Sequence, residues 1–137
     1  MANRRDFIKK TTTGVALAGL VSISDTTMGG EVKIKEALVH HVFFWLKDPD
    51  NKEHLKQLIE ALNKLIKVET IKMSHIGVPA STEERDVVDH SYSVSYMAFF
   101  DSKEDQDTYQ THPVHLKFVE ENSHLWKKVV VYDSVDV

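Results

Sequence analysis

The chain has 137 residues, 17 basic and 21 acidic side chains, and no cysteine. Disulfides and thiolate catalysis are thereby excluded, and a formal charge of −4 disfavours a nucleic-acid partner. The length supports one modest core, and neither an internal repeat nor a low-complexity linker marks a second folded domain.

Residues 1–30 read as an export leader and linker. Arg4 and Arg5, followed by Phe7, Ile8, Lys9 and Lys10, precede an apolar, small-residue stretch from Gly14 to Ile23. That order is typical of a secretory signal, and the paired arginines resemble a bacterial twin-arginine leader. The apolar run is too short and Gly-rich to predict a transmembrane span. An ordinary secretory leader and an uncleaved membrane-associated tail are the alternatives. Cleavage is expected between Asp25 and Glu31, giving an exported protein, in a bacterium a periplasmic one, with no transmembrane segment left. Residues 31–137 then carry 13 basic and 19 acidic side chains, a net charge of −6.

Residues 37–46 predict the first strand, with Leu38, Val42, Phe44 and Leu46 on one face and Val39, Phe43 and Trp45 on the other. Apolar groups on both faces imply that one meets helices and the other a partner subunit. Asp50 and Glu53 have capping-box spacing, and Leu55, Leu58, Ile59, Leu62, Leu65 and Ile66 follow at helical intervals. Glu69 to Ile76 reads as a second strand, Gly77 to Asp89 as a polar loop, and Tyr92 to Phe100 as a third strand. Ser102 and Asp105 predict the start of a short helix ending near Tyr109, after which Thr111 is expected to cap a second segment with Pro113 in its first turn. Leu125 to Val135 supplies the last strand. The order βαββαβ is compatible with an α+β, ferredoxin-like domain whose helices cover one sheet face.

The segment Tyr109 to His115 concentrates a phenol, two imidazoles and a proline in one connection. Neutral His115 is suited to removing a substrate proton, and Tyr109 to donating a hydrogen bond to a developing enolate or phenolate oxygen. His40 on the first strand is placed to orient His115 or a ligand, with Val42, Phe44 and Phe118 as the apolar walls of an expected cavity. The competing reading makes Tyr109 and His115 amphipathic groups at the core edge, their polar atoms satisfied by backbone or by each other. No metal site is expected, because His112 and His115 are three residues apart at a helix start without a carboxylate completing a ligand motif. No glycine pattern forms a phosphate loop, and no cofactor is implied.

His40 with Val42-Phe43-Phe44-Trp45-Leu46-Lys47-Asp48, and Tyr109 to His115 with Phe118 downstream, resemble the two characteristic segments of the stress-responsive dimeric A/B-barrel (Dabb) family. The likeness covers nearly all of residues 36–135. It implies a homodimer in which two four-stranded sheets form a shared, dimeric α/β barrel. Plant cyclases of that family use a tyrosine and a histidine in the matching segment, which implies catalytic roles for Tyr109 and His115. It also implies pocket positions for His40 and His112, while a further pocket histidine of the cyclases falls on Val94 here. The function so implied is binding of a small, partly apolar, oxygenated ligand, with a cyclase- or isomerase-like proton transfer. A noncatalytic binding or structural module associated with stress is the alternative.

Overall fold

The computed structural model describes residues 32–137, so the expected leader, residues 1–30, lies outside the described residues. No helix among the described residues is long and apolar enough to cross a membrane. Residues Lys35–Val137 form one compact unit.

The elements run β1 (Leu38–Leu46), α1 (Lys52–Leu65), β2 (Ile71–Gly77), β3 (Val94–Phe100), α2 (Lys103–Thr111), α3 (Pro113–Asn122), a 3-10 turn (Ser123–Leu125) and β4 (Trp126–Val135). The four strands form a single sheet in the order β2-β3-β1-β4, with every neighbouring pair antiparallel. This is the expected α+β, ferredoxin-like βαββαβ topology. β1 occupies a central position, and its side chains alternate strictly between buried and half-buried along all nine residues.

The register places Leu38, His40, Val42 and Phe44 opposite Phe100, Ala98, Tyr96 and Val94 of β3. These side chains share one face and, His40 apart, join Leu58, Leu62 and Leu65 of α1, Tyr109 and Phe118 in one core cluster. Leu58, Leu62 and Leu65 fall at intervals of four and three, so a single stripe of α1 lies on the sheet. Each such leucine contributes about 1.5–3 kcal/mol through burial. On the opposite face Val39, Phe43, Trp45, Met97 and Phe99 stay half-buried. Loop 78–93 gives that face partial cover: Tyr92 meets Phe43 edge-on at 5.0 Å, and Trp45 Nε1 donates to Ser91 Oγ at 3.0 Å.

The shared, dimeric α/β barrel expected from the sequence is not what this structure shows, which is one open four-stranded sheet. β2 and β4 are the two edges of an open sheet and do not pair with each other. Closure of a sheet around a filled interior takes roughly eight strands, and four strands backed by helices on one face leave their edges far apart.

Two helix starts also differ from the expected ones. The Asn51 N–H bonds back to the Asp48 carbonyl at 3.1 Å, which leaves Asp50 inside a turn. Asn51 is therefore the α1 N-cap, its side-chain oxygen accepting from the Glu53 and His54 amides at 3.0 Å each. At α3 the cap is His112, whose Nδ1 accepts from the Val114 amide at 3.1 Å, while the Thr111 hydroxyl turns back to the Asp107 carbonyl at 3.4 Å. The Ser102 cap of α2 is as expected, accepting from the Asp105 amide at 3.1 Å.

Candidate functional site

Strand alternation carries His40 to the helix-covered face between Leu38 and Val42. Its β3 neighbour Ala98 is small, which leaves room above the sheet for larger rings, and its β4 neighbour is Asp133. The Asp133 carboxylate accepts from His40 Nδ1 at 2.6 Å. A carboxylate only accepts, so the neutral His40 ring carries its proton on Nδ1 and keeps the Nε2 lone pair free.

Tyr109 is the one buried residue of α2. Its ring packs 5.8 Å from His40, 5.1 Å from Phe100 and 4.7 Å from His115, measured between centroids. The break between α2 and α3 is what brings His115 there. Pro113 has no N–H, and the Val114 N–H is taken by His112, so the Gln110 carbonyl near the end of α2 lacks its usual helical donor. His115 Nδ1 supplies one at 3.0 Å. A carbonyl also only accepts, so this ring too is protonated on Nδ1 in its neutral form and presents an open Nε2.

The electrostatics favour a neutral His115. Burial pushes its pKa below 6.5, the Gln110 carbonyl opposes that shift, and the neighbouring His40 adds to it. The Tyr109 hydroxyl meets the Tyr96 hydroxyl at 3.2 Å. Burial raises both phenols, Tyr96 to about 12 and Tyr109 further still. Both therefore stay protonated at neutral pH. Only one proton lies between the two oxygens, so the other hydroxyl hydrogen is left to point elsewhere.

The structure thus brings His40, Tyr109 and His115 together. His112 is committed differently, with Nδ1 capping α3 and Nε2 facing Glu69 Oε2 at 3.3 Å. Phe44 and Phe118 belong to a neighbouring aromatic group with Trp126, in which Phe44 lies 4.9 Å and Phe118 5.8 Å from the indole. Val94 is fully buried beside Phe44, and Val42 is buried opposite Tyr96. Among the described residues, no group of three histidine or carboxylate side chains converges as a metal site would require.

Two members of the cluster were not singled out in the sequence. Tyr96 shares the inward parity of β3 but looks like any core aromatic there. Asp133 carried a readable signal, being the only acid in the set Val129, Val131, Asp133 and Val135, which shares one parity of β4.

Tyr109 is 1% exposed and His40 6%. Depressions of about 620, 600 and 670 Å3 lie between α1 and α3, along α1, and in the loop from Glu84 to Ser91, and none is lined by His40, Tyr109 or His115. The first does reach Phe118.

A family model described as the stress-responsive A/B barrel domain matches residues 38–136. Comparison with curated protein sequences yields no match. Among solved structures, an Arabidopsis thaliana protein is 26% identical, with a TM-score of 0.62 over 73% of this chain and 95% of that one. The hydroxynitrile lyase of Passiflora edulis is 21% identical, with a TM-score of 0.63 over 76% of this chain and 96% of the lyase. A dimeric ferredoxin-like protein of unknown function from Thermobifida fusca is 20% identical, with a TM-score of 0.59 over 73% of this chain and 91% of that one.

Proposed function

The chain belongs to the stress-responsive A/B barrel domain family, and from that premise we propose that it is a homodimeric protein that binds a small, partly apolar, oxygenated molecule at the His40, Tyr109 and His115 cluster and moves a proton on it. The observation that carries this reading is the contact of Tyr109 with two imidazoles whose Nδ1 atoms are both held by acceptors. Fixing Nδ1 leaves each Nε2 as a lone pair of set direction. His115, half-exposed and kept neutral by burial, is the base. The Tyr96 and Tyr109 hydroxyls form the donor that would stabilise an enolate or phenolate oxygen. His40, locked by Asp133, is a positioning residue for both rings.

A noncatalytic binding or structural module is the second reading, favoured by the near-complete burial of Tyr109. Native mass spectrometry after incubation with a metabolite extract separates the two. A retained compound that is converted by the wild type, bound but unconverted by His115→Ala, and bound weakly by Tyr109→Phe supports the catalytic reading. Retention without turnover supports the module. No retained compound, or retention indifferent to both variants, overturns the assignment to this cluster.

The homodimer reading rests on the half-buried face of the sheet, where Val39, Phe43, Trp45, Met97 and Phe99 form an apolar patch without helical cover. The Thermobifida fusca protein of the same fold is a dimer. Light scattering on the purified chain should return twice the monomer mass, and a monomer at all concentrations would refute it.

A further inference from the structure

The depression of about 620 Å3 between α1 and α3 has chemistry of its own, independent of the reading given to Tyr109 and His115. Its floor is apolar, with Leu65 from α1 and Phe118 from α3 both buried there. Its rim is charged, and lysines predominate: Lys64 on α1, Lys67 in the turn just after it and Lys117 on α3, against the carboxylates of Glu60 and Glu121. Lys117 approaches Glu121 only loosely, at 3.9 Å. Among the described residues Lys64 and Lys67 make no ion pair.

A buried amide adds a directional group. Asn122, 7% exposed, donates one Nδ2 hydrogen to the Phe118 carbonyl at 2.9 Å and accepts from Gln57 Nε2 at 3.4 Å. An amide nitrogen has two hydrogens, so one remains uncommitted at the lining of the groove.

We propose that this groove binds a small amphipathic anion, one carboxylate on an apolar body, with the body against Leu65 and Phe118 and the carboxylate between Lys64 and Lys117. The volume falls within the range of about 300–1,000 Å3 usual for small-ligand sites. A neutral apolar compound would fill the floor and leave the lysines unanswered. A cation would meet three ammonium groups with only two carboxylates to offset them. The flexible lysine stems can lie along the ligand body while their heads reach its carboxylate.

Decanoate is a suitable probe, with decanol and decyltrimethylammonium as controls of equal chain length. Titration calorimetry on the full chain should show decanoate binding more tightly than either control. Methyl NMR shifts should localise it to Ala61, Leu65 and Val114. The double variant Lys64→Gln/Lys117→Gln should weaken decanoate binding by on the order of tenfold or more and flatten its dependence on salt. Ala61→Trp, checked for native circular dichroism, should fill the groove and abolish binding. A second filling variant, Val114→Phe, keeps the test open if Ala61→Trp does not fold. Equal binding of decanol and decanoate, shifts confined to the Tyr109 and His115 region, or full binding in the filled variants would each overturn the proposal.

Discussion

The hydroxyl pair under α2 gives the sharpest test of the site's geometry. Tyr96 and Tyr109 are each 1% exposed, and their hydroxyls meet at 3.2 Å with no other hydrogen-bond partner among the described residues. Tyr109→Phe or Tyr96→Phe keeps the ring and its packing but strands the opposite hydroxyl in a buried site. Stranding a buried polar group costs about 1–3 kcal/mol. The pair is longer than the usual hydroxyl hydrogen bond of about 2.7–2.8 Å, which places each single variant near the lower end, about 1 kcal/mol. The double variant removes donor and acceptor together and should lose much less than the sum, giving a coupling of about 1 kcal/mol. For a unit of this size each single change lowers the melting temperature by roughly 4–8 °C. Urea unfolding of all four proteins, at one fixed protein concentration because of the expected dimer, measures the cycle. Additive losses, or two neutral single variants, would refute a closed hydroxyl pair and show that solvent reaches these phenols.

Asn51→Ala removes a side chain that accepts two amide hydrogens at the start of α1, and should cost about 1 kcal/mol in the same unfolding assay, whereas Asn51→Asp should be tolerated. Because the folded pKa of His115 lies below 6.5, the fold favours the neutral ring. Its contribution is full above that value and is lost as the pH falls below it towards the folded pKa. Wild type should therefore lose more stability than His115→Gln on going from about pH 8 to about pH 5. Parallel curves would reject the assignment. Subtracting them removes the contribution of His41, which is also shifted down by burial and by His75. Phe43→Lys, on the half-buried sheet face, should convert the dimer to monomer in light scattering while preserving the circular dichroism of the fold. An unaltered dimer would place the interface elsewhere.

Local periodicity already determined most of the fold. A continuous apolar run gave β1, period-two alternation gave β3, the intervals of three and four gave α1, and Ser102 and Pro113 marked the starts of α2 and α3 to within a residue, because these signals depend on near neighbours. The chemistry-bearing segment from Tyr109 to His115 was legible for the same reason. Caps were less legible, since Asp50 and Asn51, or Thr111 and His112, offer similar acceptors, and only the backbone turn selects between them. The tertiary structure alone decided the rest. It set Asp133 beside His40 across 93 residues and Tyr96 against Tyr109 across 13, pairs fixed by strand register and helix packing, which no local spacing encodes. It also left the sheet open where a barrel was expected, and drew the rings of His40, Tyr109 and His115 together. Both outcomes depend on how many strands and how much volume share one space, quantities that exist only once the chain has packed.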